Sequence, residues 1–285
     1  MTGLNMKKRM AVALMIIALL FSFHGVLAEG SPPSTGETES VSYKMDESLK
    51  NEDEQPATIR ETKLEPYMVP GNIITFGTYP QTKEGTDQTP IEWIVLDYDE
   101  ANHKTLLISR YCLDTMKYDT SFSSVTWEKC TLRSWLNDEF LNKAFSEKEQ
   151  SAILTTEVDN SENQSFGELG LLWGNDTQDK IFLLSVADAR FYFGARWWEE
   201  DDGENTASRA APTAYAIKQG AGVIDGCLTA DGEPAWWWWL RSSGLSRNNA
   251  ARVNYDGSLH DDSDADPAYG TVRPVLWLEL NADIF

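Results

Sequence analysis

Ala235-Trp236-Trp237-Trp238-Trp239-Leu240-Arg241-Ser242 places four consecutive tryptophans before an arginine. In a β-strand, alternate side chains point to opposite faces. Trp236 and Trp238 then share one face, and Trp237 and Trp239 share the other. Rings of this size need cover on both sides, which predicts a central strand. Two later segments are its expected partners. Ala251-Arg252-Val253-Asn254-Tyr255 runs into the turn signal Asp256-Gly257. Val272-Arg273-Pro274-Val275-Leu276-Trp277-Leu278 closes the chain. These three are expected to form the heart of the fold, with the first and last strands of the domain meeting.

Working outward, the N-terminus has the build of an export signal. Lys7-Lys8-Arg9 precedes an apolar run, Met10 to Phe23, and Val26-Leu27-Ala28 offers a small-residue cleavage site. The run is short for a membrane-spanning helix, so no stable membrane insertion is expected after cleavage of residues 1–28. Residues 29–68 are rich in Glu, Ser, Thr, Pro and Asn and poor in aromatic side chains. Such a stretch buries too little apolar surface to offset ordering entropy, and a disordered acidic linker is expected. Residues 69–285 then form one domain.

That domain shows strands early, helices in the middle and strands late, an α+β pattern. Segments 72–79, 91–98 and 104–109 have strand character. Leu132, Trp135, Leu136, Phe140 and Phe145 recur at helical spacing and read as core. Ser146 with Glu149 forms a capping box for a short helix in which Ile153 and Leu154 pack. Asp159 to Asp179 is expected as a surface loop, and Lys180 to Leu184 as a buried strand. Ser185 with Asp188 caps a further helix to about Phe193. Pro212 and Gly220 frame another helix.

The formal charge is -21, more negative still without Lys7, Lys8 and Arg9. So acidic a chain is repelled by nucleic acid and by anionic membrane surfaces. Neutral carbohydrate or a protein partner at the cell surface fits better. Cys112, Cys130 and Cys227 show no C-x-x-C spacing, which speaks against a zinc or thioredoxin-type centre. One disulfide with one free thiol, or three buried thiols, both suit three cysteines.

These segments resemble a known family. Phe76-Gly77-Thr78-Tyr79-Pro80-Gln81, Ile91-Glu92-Trp93, Leu132 to Asn137, Asp179 to Ser185, Trp238-Trp239-Leu240-Arg241-Ser242 and Val272-Arg273-Pro274 together resemble an uncharacterised bacterial secreted domain of unknown function, over about residues 70–280. More distantly, that domain is similar to the C-type-lectin-like fold, in the branch of the formylglycine-generating (sulfatase-modifying) enzymes. The resemblance implies a mixed fold with a Trp-rich central antiparallel sheet flanked by short helices. It does not carry the formylglycine-generating activity, which needs a late paired-cysteine site, and Cys227 has no neighbour to pair with.

The chemistry-bearing residues point the same way. His103 and His260 are the histidines left after signal removal, and no G-x-S-x-G motif accompanies them, so no catalytic residue is assigned. Asp262-Ser263-Asp264-Ala265-Asp266 opens like an EF-hand loop, but Pro267 replaces its glycine and Arg273 its bidentate glutamate. Asp262, Asp264 and Asp266, with Asp261, remain candidates for a looser calcium site, as do Asn175-Asp176 and Asp179. In a lectin-like fold the late loops form the recognition surface. There Trp238, Arg241, Asn248, Asn249, Asn254, Tyr255 and Asp256 are the candidate ligand-binding residues. Trp93, Trp135, Trp237, Trp239, Arg273 and Trp277 are expected in the core, with Arg273 buried and stacked on tryptophan. The expected function is a secreted non-enzymatic binding or adhesion module. A carboxylate- or calcium-dependent hydrolase and a purely structural envelope protein are the alternatives.

Overall fold

The computed structural model describes residues 55–121, 125–160, 174–200, 203, 205–265 and 270–285. The signal segment and residues 29–54 of the expected linker lie outside them. Two units divide the chain, Met1–Lys63 and Leu64–Phe285. The stretch expected as spacer up to residue 68 ends in a helix, α1 (Gln55–Met68). Leu64 is buried, and Tyr67 meets Phe285 edge-on at 5.1 Å. These few apolar side chains order a segment whose composition is otherwise polar. Among the described residues no helix is long and apolar enough to cross a membrane.

Three strands open the domain: β1 (Ile73–Tyr79), β2 (Thr89–Asp99) and β3 (Lys104–Ser109). Alternating apolar side chains fix their register, and β2 and β3 pair as an antiparallel hairpin. The short β4 (Asp114–Thr115) follows. Next come α2 (Thr131–Trp135), a π-helical turn (Leu136–Phe140) and α3 (Leu141–Ala144). Leu132, Leu136 and Phe140 recur every four residues, a spacing the π-turn accommodates, and all three are buried with Phe145. Trp135 is half-buried, its ring 5.5 Å from Phe140.

The capping box at Ser146 and Glu149 starts α4 (Glu147–Ala152). Ile153 leaves that helix as its extended cap and bridges Leu278 instead. The strands β5 (Thr156–Val158) and β6 (Thr177–Asp179) pair with each other, so part of the expected surface loop is sheet. Residues 161–173 lie outside the described ones. Ser185 and Asp188 form a second capping box on α5 (Val186–Phe193), which Gly194 ends in the left-handed region. Thr213 caps α6 (Ala214–Gln219). The exposed hairpin β7 (Ile224–Leu228) and β8 (Pro234–Ala235) leads into β9 (Trp238–Ser243). The chain ends with β10 (Asn249–Val253), β11 (Leu259–Asp264), β12 (Thr271–Val272) and β13 (Val275–Glu279).

The tryptophan strand lies at the centre of a five-stranded sheet ordered β11-β10-β9-β12-β4. Trp237 and Trp239 meet edge-to-face at 4.8 Å on one face, and Trp238 is buried on the other. Burying a tryptophan removes about 150–250 Å² from water, at most roughly 4–6 kcal/mol of transfer free energy each. Three buried indole N–H groups also find acceptors: Trp93 donates to the Phe76 carbonyl, Trp238 to that of Ser208 and Trp239 to that of Met116. Trp277 lies buried beneath the Lys104 ammonium, 4.5 Å from its ring.

Two expectations about strand partners are corrected. The closing segment does not run as one strand beside β9. Thr271 pairs with Trp238 in parallel, the chain turns at Arg273-Pro274, and β13 joins a second sheet ordered β1-β2-β3-β13. Proline has no N–H for a ladder and marks the corner. The last strand therefore meets the third strand, β3, and not the first. Lys180 to Leu184 is buried apart from Lys180 but forms no strand. Phe182 makes a single bridge to Val275. Asn137 supplies the missing ladder, its Oδ1 accepting from Lys180 and Ile181 N–H and its Nδ2 donating to the Ile181 carbonyl.

Candidate functional site

The late strands and loops carry most of the residues expected to bind a ligand, and many of these are engaged within the fold. Trp238 is fully buried between Phe193 and the Arg273 guanidinium. Arg241 pairs with Asp188 at 2.6 Å and donates to the Leu183 and Asp159 carbonyls. Asn249 is buried and bonds Asp264 and the Asp262 carbonyl. Asn254 and Asp256 build the hairpin turn: Asp256 Oδ1 accepts from Ser258 N–H and O–H, and Asn254 pairs with Ser258. Asn248 is exposed, and half-buried Tyr255 stacks on Trp236 at 6.4 Å.

The calcium candidates divide. Asp179 is buried and held by Trp127 Nε1, Thr177 and Arg133, so it is a structural carboxylate. Asp262 and Asp264 are exposed on β11, and Asp266 lies outside the described residues. Among the described residues no three His, Cys, Asp or Glu side chains gather as a metal site.

A surface feature forms beside β11. Arg196 to Trp198 runs parallel to that strand: Leu259 N–H donates to the Arg196 carbonyl and Trp198 N–H to the Leu259 carbonyl. This backbone pairing sets Trp198 over His260, ring centroids 6.2 Å apart and 24° from parallel. Trp198 stays 58% exposed, the most exposed large apolar side chain among the described residues. Burial, followed by the Arg252 charge, holds His260 below the usual histidine range, against the pull of Asp262 and Asp256. The imidazole is thus neutral at neutral pH. Asp262 Oδ1 lies 3.7 Å from His260 Nδ1, and the exposed Glu199 and Glu200 follow Trp198 in the chain. An indole backed on one face by an imidazole and largely exposed can stack on an apolar face, while carboxylates accept hydroxyl hydrogen bonds. The sequence holds a signal for it, Trp197-Trp198 running directly into Glu199-Glu200-Asp201-Asp202.

A second feature lies where the chain crosses between sheets. Arg273, 2% exposed, is clamped between Trp238 and Phe193 at 5.1 and 5.2 Å, and its Nε donates to the Ser109 carbonyl. Burial lowers its pKa to about 10, and its Nη1 is buried without a partner. Arg273 lines a cleft of about 80 Å³ together with Arg110, Arg209, Tyr111, Asp231 and Glu233. Arg110 is neutralised by Glu92 at 2.6 Å and Asp231 at 2.9 Å. Arg209 donates to the carbonyls of Asp256, Leu228 and Gly203. Arg273 was legible as a buried, stacked arginine; Arg110, Arg209 and Glu233 were not, since nothing local in sequence links them.

Comparison with curated proteins and with solved structures returns no match. A family profile matches residues 102–280, more than half of the chain, and leaves the motifs at 76–81 and 91–93 outside its span. The chain therefore belongs to the family described as a domain of unknown function, DUF6273.

Proposed function

We propose that this chain is an exported, non-enzymatic binding module that recognises carbohydrate at the cell envelope, on a fold of the C-type-lectin-like kind. The observation that supports this most is the exposed indole of Trp198, stacked on a neutral His260 whose Nδ1 lies 3.7 Å from Asp262. Sugar rings present apolar C–H faces to such indoles and hydroxyls to neighbouring carboxylates. The strongly acidic surface suits a neutral glycan better than a polyanion. The N-terminal signal and the acidic stretch after it support presentation outside the cytoplasm.

A glycan and cell-wall-fragment panel, probed with the full chain in calcium and again in chelator, tests the reading. A hit that survives chelation supports the Trp198 platform. A hit lost in chelator moves the site to a calcium ion on Asp262, Asp264 and Asp266. Turnover of a bound glycan would replace the binding reading with the hydrolase alternative. No hit on the panel would leave a protein partner or a structural role.

A further inference from the structure

The cleft at the sheet crossing holds an unusual balance of charge. Three arginines (Arg110, Arg209, Arg273) face three carboxylates, Glu92, Asp231 and Glu233, once the ion-paired Glu92 is counted. Among the described residues, Arg110 alone of the three is paired with acids. Among the described residues Arg273 forms no ion pair, and one of its nitrogens has no acceptor at all. Glu233 forms no ion pair either, its side chain touching only the Tyr111 hydroxyl at a long 3.5 Å. An unpaired cation and an unpaired anion thus line one small cleft without pairing with each other.

We propose that this cleft binds a small free α-amino acid, its carboxylate on the Arg273 side and its ammonium on Glu233. A guanidinium fork matches a carboxylate in plane and in charge. A buried donor left unmade is costly, and a ligand oxygen would satisfy it. The near-zero sum of fixed charge favours a net-neutral zwitterion over a phosphate or sulfate dianion, which would leave negative charge in excess. At about 80 Å³ the cleft is small, which suits glycine or alanine better than an amino acid with a large side chain. Ala207, Ala211 and Ile94 supply a short apolar wall for a methyl group. The turn Thr229 to Glu233 at the tip of the β7–β8 hairpin lines the cleft, and Thr229 and Glu233 close a backbone hydrogen bond there. This site is separate from the Trp198 platform and does not rest on the carbohydrate reading.

Calorimetric titration of the full chain with glycine, L-alanine, L-leucine, acetate, ethylamine, N-acetylalanine and inorganic phosphate tests it. Alanine should bind at least tenfold more tightly than acetate, ethylamine or N-acetylalanine, each of which lacks one of the two charges. Leucine should bind at least tenfold more weakly than alanine. Glu233→Gln on the exposed rim should weaken alanine about tenfold and leave acetate unchanged, while Trp198→Ala should leave alanine unchanged. Arg273→Lys should weaken alanine and acetate alike; if that variant does not fold, the Glu233→Gln comparison decides alone. Acetate or phosphate binding as tightly as alanine would overturn the proposal in favour of a simple anion site. Absence of binding by every probe would overturn it in favour of a water-filled cleft.

Discussion

Arg241 Nη1 lies 2.6 Å from Asp188 Oδ2, joining the tryptophan strand to the capping box of α5. The arginine side chain is only 10% exposed, and the aspartate about a third. Removing one member of a buried pair leaves the other charge uncompensated, at about 3–5 kcal/mol when burial is complete. Partial exposure of Asp188 lowers this. Arg241→Met is expected to destabilise the protein by about 2 kcal/mol, read as a shift in urea midpoint, with no change in glycan binding at Trp198. An unchanged midpoint with lost glycan binding would place Arg241 in the ligand site instead.

The same pair sets a pH dependence. Burial raises the Asp188 pKa, but the Arg241 charge and the hydrogen bonds from Ser185 and Arg241 outweigh it and hold the carboxyl below its ordinary 3.8. A depressed folded-state pKa contributes stability that is present above 3.8 and lost as pH falls through the folded value. The stability gap between the native chain and Arg241→Met should therefore be constant from pH 8 to about 5 and shrink below 3.8. Thermal melts at matched ionic strength measure it. A gap that widens in acid would contradict the assigned role.

Gly77 sits within β1 at φ +66, beside a register shift between Thr75 and Thr78. A Cβ there would strike the Phe145 ring and lie 2.7 Å from the Ala144 carbonyl oxygen. Left-handed strain and overpacking act together, so Gly77→Ala should cost about 2–4 kcal/mol. A melting temperature within a degree of the native value would contradict that packing.

All three cysteines are free. Burial pushes the Cys112 thiol up to about 11 and the Cys130 thiol up to about 12, while Cys227 is only half-buried on the exposed hairpin. A thiol reagent at pH 8 should modify one cysteine in the native protein and three in denaturant. Modification of more than one cysteine in the native protein would contradict this; a single site in denaturant, rising to three after reduction, would reveal a disulfide.

Much of this architecture is legible in the sequence where a local pattern decides it. The period-two alternation of Trp236 to Trp239, the helical spacing of Leu132 to Phe145 and the two capping boxes each depend on neighbours a few residues away. The failures have tertiary causes. The Lys180 to Leu184 run has strand composition, but the side chain of Asn137 takes the place of a neighbouring strand. The closing segment reads as one strand, but Pro274 turns it between two sheets. The candidate sites divide in the same way. Trp198 is announced by a tryptophan pair against an acidic run, whereas Arg273 and Glu233 are forty residues apart in the chain and meet only through the fold.

The central claim is that the exposed face of Trp198 carries the ligand. Its direct test is a titration of the full chain and its Trp198→Ala variant with the best glycan of the panel, followed by calorimetry. The indole is largely exposed, so the variant should melt within about 0.5 kcal/mol of the native chain, the range of ordinary surface changes. Stacking of this kind is worth roughly 1–3 kcal/mol, and affinity should fall by about five- to a hundredfold. Equal affinity in the two proteins would contradict the account and remove the Trp198 platform from the function.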